Sequence, residues 1–162
     1  MVTAPVYALL EGLVLGSVSA ILEVRFPGIA IEAVSLTFGV LVVLLLAYRS
    51  GLIRVTDKFR MGVVAATGAI ALFYFASFIL SFFHVQLFRS AYGSGMIGIG
   101  FSVIVVIVAS LNLVLDFDFI ETGARMGAPK YMEWYGAFGL MVTLIWLYFE
   151  ILRLLTKLRS RE

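Results

Sequence analysis

Residues 96–115 read MIGIGFSVIVVIVASLNLVL, a run of 20 residues without a charged side chain. An α-helix needs about 20 mostly apolar residues to cross the ~30 Å hydrocarbon core of a bilayer. The apolar residues follow one another here and do not alternate with polar ones, which is not the pattern of a membrane β-barrel strand. This stretch therefore predicts a transmembrane helix.

The rest of the chain has the same character. Of its 162 residues, 62% are hydrophobic and 14% are charged, whereas a soluble domain has about 45–50% apolar and about 25% charged residues. A water-soluble core of this size cannot hide that excess, because a small domain keeps much of its surface wet. We expect an all-α, polytopic membrane protein that forms a single domain over residues 1–162. The five predicted spans are 5–22, 29–48, 61–83, 96–115 and 134–155.

The positive charges of the connectors predict an orientation. The second and fourth connectors share one side of the membrane and together carry Arg49, Arg54, Lys58, Arg60, Arg125 and Lys130. The opposite side receives Arg25 and Arg89, so the positive-inside rule makes the connector over residues 49–60 cytoplasmic. The charged residues after 152 fall on the other side if the fifth span crosses fully. Either that span is re-entrant or broken, or its charged tail is tolerated outside.

The sequence lacks the residues that several classes of function need. The chain has no cysteine, which excludes disulfides, thiolate metal sites and a cysteine nucleophile. Its single histidine, His84, and the absence of an H-E-x-x-H motif leave little for a catalytic triad or a zinc enzyme. The net charge of +2 relates to membrane topology and not to nucleic acid. We expect no enzyme, no cofactor and no nucleic-acid partner.

Small residues in the first and last spans predict close helix packing. Gly12 and Gly16 form a GxxxG pair, and Gly136 and Gly139 play a similar part in the fifth span. We expect these glycines to pack helices within the chain, with a dimer interface as the alternative.

Carboxylates within the spans are the strongest candidates for function. A charge at the bilayer centre costs at least about 2.5–3.5 kcal/mol, so such residues are paired, face a cavity or are protonated. The candidates are Asp116 and Asp118 at the end of the fourth span, Glu150 in the fifth and Glu11 in the first. Asp116 and Asp118 are two residues apart, so on a helix they point about 200° away from each other.

Two further polar residues accompany these carboxylates. Asn112 lies four residues before Asp116 on the same helical face, and Arg153 lies three residues after Glu150, where a local ion pair can form. Simpler interpretations stay open for three of the acids. Asp118 can be a solvated charge at a helix end, Glu150 can merely neutralise Arg153, and Glu11 can extend its side chain toward the membrane surface.

Three stretches resemble the bacterial branch of the Bax inhibitor (YccA-like) family. They are residues 111–121 (LNLVLDFDFIE), 127–135 (GAPKYMEWY) and 146–153 (WLYFEILR). Residues 7–12 (YALLEG) resemble the start of the third helix of that family. The resemblance implies a seven-helix fold of which this chain supplies the third to the seventh helix, with two helices preceding them.

The resemblance also implies an activity, which is a pH-sensitive leak of Ca²⁺ across a membrane, here a bacterial plasma membrane. A carboxylate pair would regulate it, with Asp116 or Asp118 as one partner and Glu150 as the other. Two carboxylates in contact would share a proton, and on losing it Asp116 and Glu150 would attract Ca²⁺ as a transported or bound ion. The alternative is a regulator that transports nothing and binds other membrane proteins, for example in membrane proteolysis or a stress response.

Overall fold

The computed structural model describes residues 3–84 and 96–160, and within these ranges the chain is helical, with no strand. Arg89, which entered the charge count above, lies outside the described residues. All the helices listed here are long and apolar enough to cross a membrane, which confirms the predicted fold class. The helices are α1 (Thr3–Arg25), α2 (Ile29–Arg49), α3 (Asp57–Phe82), α4 (Met96–Arg125) and α5 (Met132–Ser160).

Two helices extend beyond the apolar spans that predicted them. Helix α3 begins at Asp57, because the Thr56 hydroxyl accepts a hydrogen bond from the Phe59 amide at 3.1 Å and so caps the first turn. Helix α4 continues past the apolar stretch to Arg125. Asp116 and Asp118 therefore lie within a continuous helix, and their side chains have the opposed directions that helical geometry requires.

The connection between α1 and α2 is a tight turn at Gly28. Its φ of 85° lies in the left-handed region, which glycine adopts without a steric cost. The Glu23 carboxylate accepts from the backbone amides of Gly28 at 2.8 Å and Ala30 at 3.1 Å. Because the first amides of a helix have no partner within it, this carboxylate caps the start of α2.

Helices α4 and α5 pack antiparallel to each other and form the most extensive contact in the bundle. Gly136 allows their close approach, since a Cβ added there would lie 3.0 Å from Ile120 Cγ1. The main core is built from α2, α4 and α5, and α1 contributes no buried residue to it. Its buried side chains are Ile29, Ala33, Ala109, Leu113, Phe117, Leu147, Tyr148, Ile151 and Leu152.

The glycines of α1, unlike those of α5, are not in close contact with another helix in the described structure. A Cβ added at Gly12 or at Gly16 would meet no heavy atom within 4 Å among the described residues. The expectation that this pair packs helices within the chain is therefore wrong for the described part. Large apolar side chains such as Leu9 and Leu13 are exposed on the same helix, as on a helix that faces lipid or another protein.

The C-terminal residues fix the path of α5. This helix runs unbroken, and near its end Arg159 donates to the Pro27 carbonyl and to Glu32 Oε1, both at 2.6 Å. The end of α5 thus lies beside the α1–α2 turn, which we call the Arg159 end of the bundle. The opposite end, which contains Asp118 and the start of α3, is called the Asp118 end. Of the two predicted alternatives, a re-entrant or broken last span is wrong.

Candidate functional site

Asp116 faces α5. Its Oδ1 lies 3.7 Å from the position that a Cβ on Gly139 would take, and Thr143 lies beside the carboxyl group. Its Oδ2 is buried and has no hydrogen-bond partner among the described residues. Asp116 thus faces the protein interior, and a glycine on α5 makes room for it.

Asp118 faces the opposite way, toward α2 and α3. Its Oδ2 accepts from Arg60 at 2.6 Å, and its Oδ1 accepts from the Tyr48 hydroxyl at 3.4 Å. The Arg60 side chain is about half exposed, so this ion pair fixes the start of α3 to α4 and contributes at most about 1 kcal/mol to stability. Of the two aspartates that the sequence left as alternatives, Asp116 is the one directed at α5.

Glu150 is buried on α5 and has partners on two helices. Its Oε1 accepts from the Tyr74 hydroxyl of α3 at 2.9 Å and lies 3.6 Å from Arg153 Nη1. Arg153 Nη1 also donates to the Tyr74 hydroxyl at 2.8 Å. The other carboxylate oxygen, Oε2, is buried without a hydrogen-bond partner among the described residues. The local ion pair with Arg153 therefore exists, but it leaves half of the carboxylate unsatisfied.

The two auxiliary polar residues lie in different places. Asn112 Nδ2 donates to Thr67 Oγ1 of α3 at 2.8 Å and to the Val108 carbonyl at 2.9 Å. In the antiparallel α4–α5 packing this residue lies between the levels of Asp116 and Glu150. Glu11 is on the peripheral helix α1, within reach of the Tyr7 hydroxyl one turn earlier.

Lys157 is a buried residue that the sequence analysis treated only as part of a charged tail. Its ammonium donates to Ser102 Oγ at 2.7 Å and to the Gly98 carbonyl at 3.1 Å, both on the first turns of α4. Lys157 lies seven residues after Glu150 and so on the same helical face, a spacing that could have identified it. Tyr74 has no comparable local signal, because its role depends on how α3 packs against α5.

These residues lie in three separate hydrogen-bonded groups and at the Asp116 carboxyl group, and together we call them the polar seam. It runs between α3, α4 and α5 from the Asp118 end to the Arg159 end. Along α4 it extends from Asp116 to Ser102, which at 1.5 Å per residue is about 21 Å of a ~30 Å bilayer core. Its members are Asp116, Asn112, Thr67, Tyr74, Glu150, Arg153, Ser102 and Lys157.

The seam does not bring Asp116 and Glu150 into contact. Thr143, beside Asp116, precedes Glu150 by seven residues, or about 10 Å along the axis of α5. Among the described residues, no group of three or more histidine or acidic side chains is placed to hold a metal ion. In this conformation the two carboxyl groups share neither a proton nor an ion, and their assignment as pH-sensing or Ca²⁺-binding residues stays a prediction.

A cavity of about 1470 Å³ opens at the Asp118 end and reaches the first residues of the seam. Its lining includes Asp116 and Asn112 together with the ion-paired Arg60 and Asp118. The connector between α4 and α5 and the first turns of α5 complete its wall. Asp116 is therefore part of the wall of this cavity.

Residues 3–84 and 96–160 contain five apolar helices with a polar seam between α3, α4 and α5, and this arrangement defines a multi-pass integral membrane protein. The chain belongs to the Bax inhibitor 1 like family, whose family model matches residues 1–160. This match confirms the resemblance to the Bax inhibitor family. No curated protein and no solved structure matches the chain.

Proposed function

We propose that this protein is a pH-sensitive cation leak, with Ca²⁺ as the cation, in a bacterial plasma membrane. The observation that carries the proposal is that Asp116 and Glu150 each have a buried carboxylate oxygen without a hydrogen-bond partner among the described residues. An ionised carboxylate in such a place is costly, because the desolvated charge is not compensated. A proton or a cation removes that cost.

The position of the two carboxylates supports a pathway. The cavity at the Asp118 end leads to Asp116, and Glu150 lies further along the seam. Oxygen atoms of carboxylates are the ligands that Ca²⁺ prefers. When ionised, the two groups would attract a cation first at Asp116 and then at Glu150, and when protonated they would not.

In this proposal the described conformation is the closed state, and two contacts between α3 and α4 support that assignment. The Asn112–Thr67 hydrogen bond joins α3 to α4 across the seam. Beyond it, Ile70, Val105 and Val108 form a buried apolar cluster between the same two helices. Passage of a cation requires these helices to separate at that level, and ionisation of the flanking carboxylates favours this because it draws in water.

The test is Ca²⁺ entry into liposomes that contain the purified 162-residue chain, measured at a series of pH values between about pH 5 and about pH 8. We expect entry to increase with pH. Asp116→Asn and Glu150→Gln should each reduce entry at the upper end of this range and weaken its pH dependence. Asp57→Asn is the matched control, because Asp57 is fully exposed at the start of α3.

Two results would contradict the proposal. One is the absence of Ca²⁺ entry with the wild-type chain, and the other is an unchanged pH profile in both Asp116→Asn and Glu150→Gln. Either result would favour the alternative that the protein regulates other membrane proteins and transports nothing. In that case the buried carboxylates serve helix packing, and neutralising them should leave the regulatory activity intact.

A further inference from the structure

We propose that the Lys157 ammonium is a tethered cation, which occupies a cation-binding position at the Arg159 end of the polar seam and keeps mobile cations out of it. The inference rests on the proposed function for its biological meaning, since a barrier to cations matters only where cations pass. It assigns a role to a residue outside the carboxylates.

The geometry around the ammonium is that of a small cation site. Lys157 is 6% exposed, and its Nζ lies 2.7 Å from Ser102 Oγ and 3.1 Å from the Gly98 carbonyl oxygen. Carbonyl and hydroxyl oxygens are also the groups that replace the hydration shell of an ion in membrane proteins. A mobile cation at this place would contact the same two oxygen atoms that the ammonium contacts.

Helix packing alone does not favour a positive charge at this place. The ammonium lies beside the first turns of α4, where the helix dipole is positive. The Arg153 guanidinium lies one turn earlier on the same face of α5 and carries a charge of the same sign. The Glu150 carboxylate, two turns earlier on the same face, carries the opposite charge and attracts the ammonium. An apolar side chain of similar size would pack here without the desolvation cost of a buried charge.

The position along the seam fits a barrier. Asp116 lies at the cavity, and Ser102 is about 21 Å further along α4. A cation that enters from the Asp118 end would pass Asp116 and Glu150 and then meet the ammonium before it reaches the Arg159 end. The seam is thus acidic where cations enter and basic where they would leave.

The first test uses the fact that the chain has no cysteine of its own. Ser102→Cys is introduced with Lys157 present or with Lys157→Met, in liposomes with thiol reagent on both sides. A cationic and an anionic reagent of similar size are compared by mass spectrometry. We expect Lys157→Met to increase the ratio of the cationic to the anionic rate about tenfold or more, as expected for loss of a like charge in a cleft. The ratio is compared because loss of a neighbouring ammonium disfavours the reactive thiolate equally for both reagents.

An unchanged ratio of the two rates would overturn the inference. If both rates rise equally, Lys157 is only a steric plug, and if both fall equally, its charge does not exclude cations. Lys157→Arg keeps the charge and should behave as the wild type does. Lys157→Gln is the second neutral variant, to be used if Lys157→Met does not fold, and Lys130→Met removes an exposed positive charge elsewhere as the control.

The second test is Ca²⁺ entry into the same liposomes. Lys157→Met should increase entry severalfold, whereas Lys130→Met should not, and a Lys157→Met protein that conducts no faster than the wild type would count against the barrier. The labelling test needs no transport. If the labelling changes as expected while no variant admits Ca²⁺, the cation position is supported and the leak function fails. If the wild type admits Ca²⁺ and the labelling is unchanged by Lys157→Met, the leak function is supported and the cation position fails.

Discussion

The Tyr74 hydroxyl of α3 lies between two charged groups of α5, donating to Glu150 Oε1 at 2.9 Å and accepting from Arg153 Nη1 at 2.8 Å. The carboxylate and the guanidinium are themselves 3.6 Å apart, so the three groups form a closed triangle. Because Glu150 Oε2 has no partner in the described part of the chain, this hydroxyl is an important stabilising contact for the carboxylate. A change of charge at Glu150 would reach α3 through Tyr74.

Replacement of Tyr74 by phenylalanine should destabilise the fold. The Tyr74→Phe variant keeps the ring but removes the hydroxyl from a buried carboxylate, which costs about 1–3 kcal/mol of unfolding free energy. Unfolding in mixed detergent micelles measures the change, and Tyr135→Phe, at an exposed tyrosine, should shift it by less than about 0.5 kcal/mol. In a Glu150→Gln background the effect of Tyr74→Phe should shrink, and an undiminished effect would show that the two side chains are not coupled.

The effects of Asp116→Asn and Glu150→Gln on Ca²⁺ entry should add. The structure separates the two carboxyl groups by about 10 Å along α5, and substitutions at independent sites are additive within about 0.5 kcal/mol. The logarithm of the flux through the double variant should therefore fall by the sum of the two single effects. A double variant no worse than either single one would instead show that the carboxylates form one shared-proton pair in the conducting state, as the resemblance implied.

Gly136→Ala should lower the free energy of unfolding by about 1 kcal/mol relative to Gly12→Ala, since overpacking a tight contact costs about 1–3 kcal/mol. A Cβ at position 136 would lie 3.0 Å from Ile120 Cγ1, whereas one at position 12 meets nothing within 4 Å in the described structure. Gly12→Ala should be neutral or stabilising, because alanine favours the helix by up to about 1 kcal/mol. Equal effects at both positions would mean that α4 and α5 do not approach as described.

Ser50→Cys and Arg25→Cys should be labelled from opposite sides of the membrane. Position 50 follows α2 and position 25 ends α1, so the path of the helices places them at opposite ends of the bundle. The distribution of positive charges predicts that Ser50→Cys reacts from the cytoplasm. Arg25→Cys removes a positive charge from the opposite side, so the asymmetry that sets the orientation is kept. Labelling of both from one side would contradict the five-span topology, and labelling of Ser50→Cys only from outside would contradict the orientation alone.

Much of the architecture follows from local properties of the sequence. The length and hydropathy of residues 96–115 are sufficient to predict a transmembrane helix there, because a bilayer imposes a minimum apolar length on any helix that crosses it. The opposed directions of Asp116 and Asp118 follow from two residues of helical rotation. Likewise the Glu150–Arg153 ion pair follows from a spacing of three residues. None of these needs knowledge of which helices are neighbours.

The partners of the buried polar groups depend on the packing of the helices. Tyr74 meets Glu150, and Lys157 meets Ser102, across intervals of 76 and 55 residues. Such contacts depend on the register and the rotation of α3, α4 and α5 relative to one another. The hydropathy of the sequence predicts neither the register nor the rotation. The same register separates Asp116 from Glu150. In the antiparallel pair, Asp116 of α4 lies opposite Gly139 of α5 and not opposite Glu150. The sequence by itself determined which residues are costly to bury in a membrane, and only the tertiary structure decided what compensates each of them.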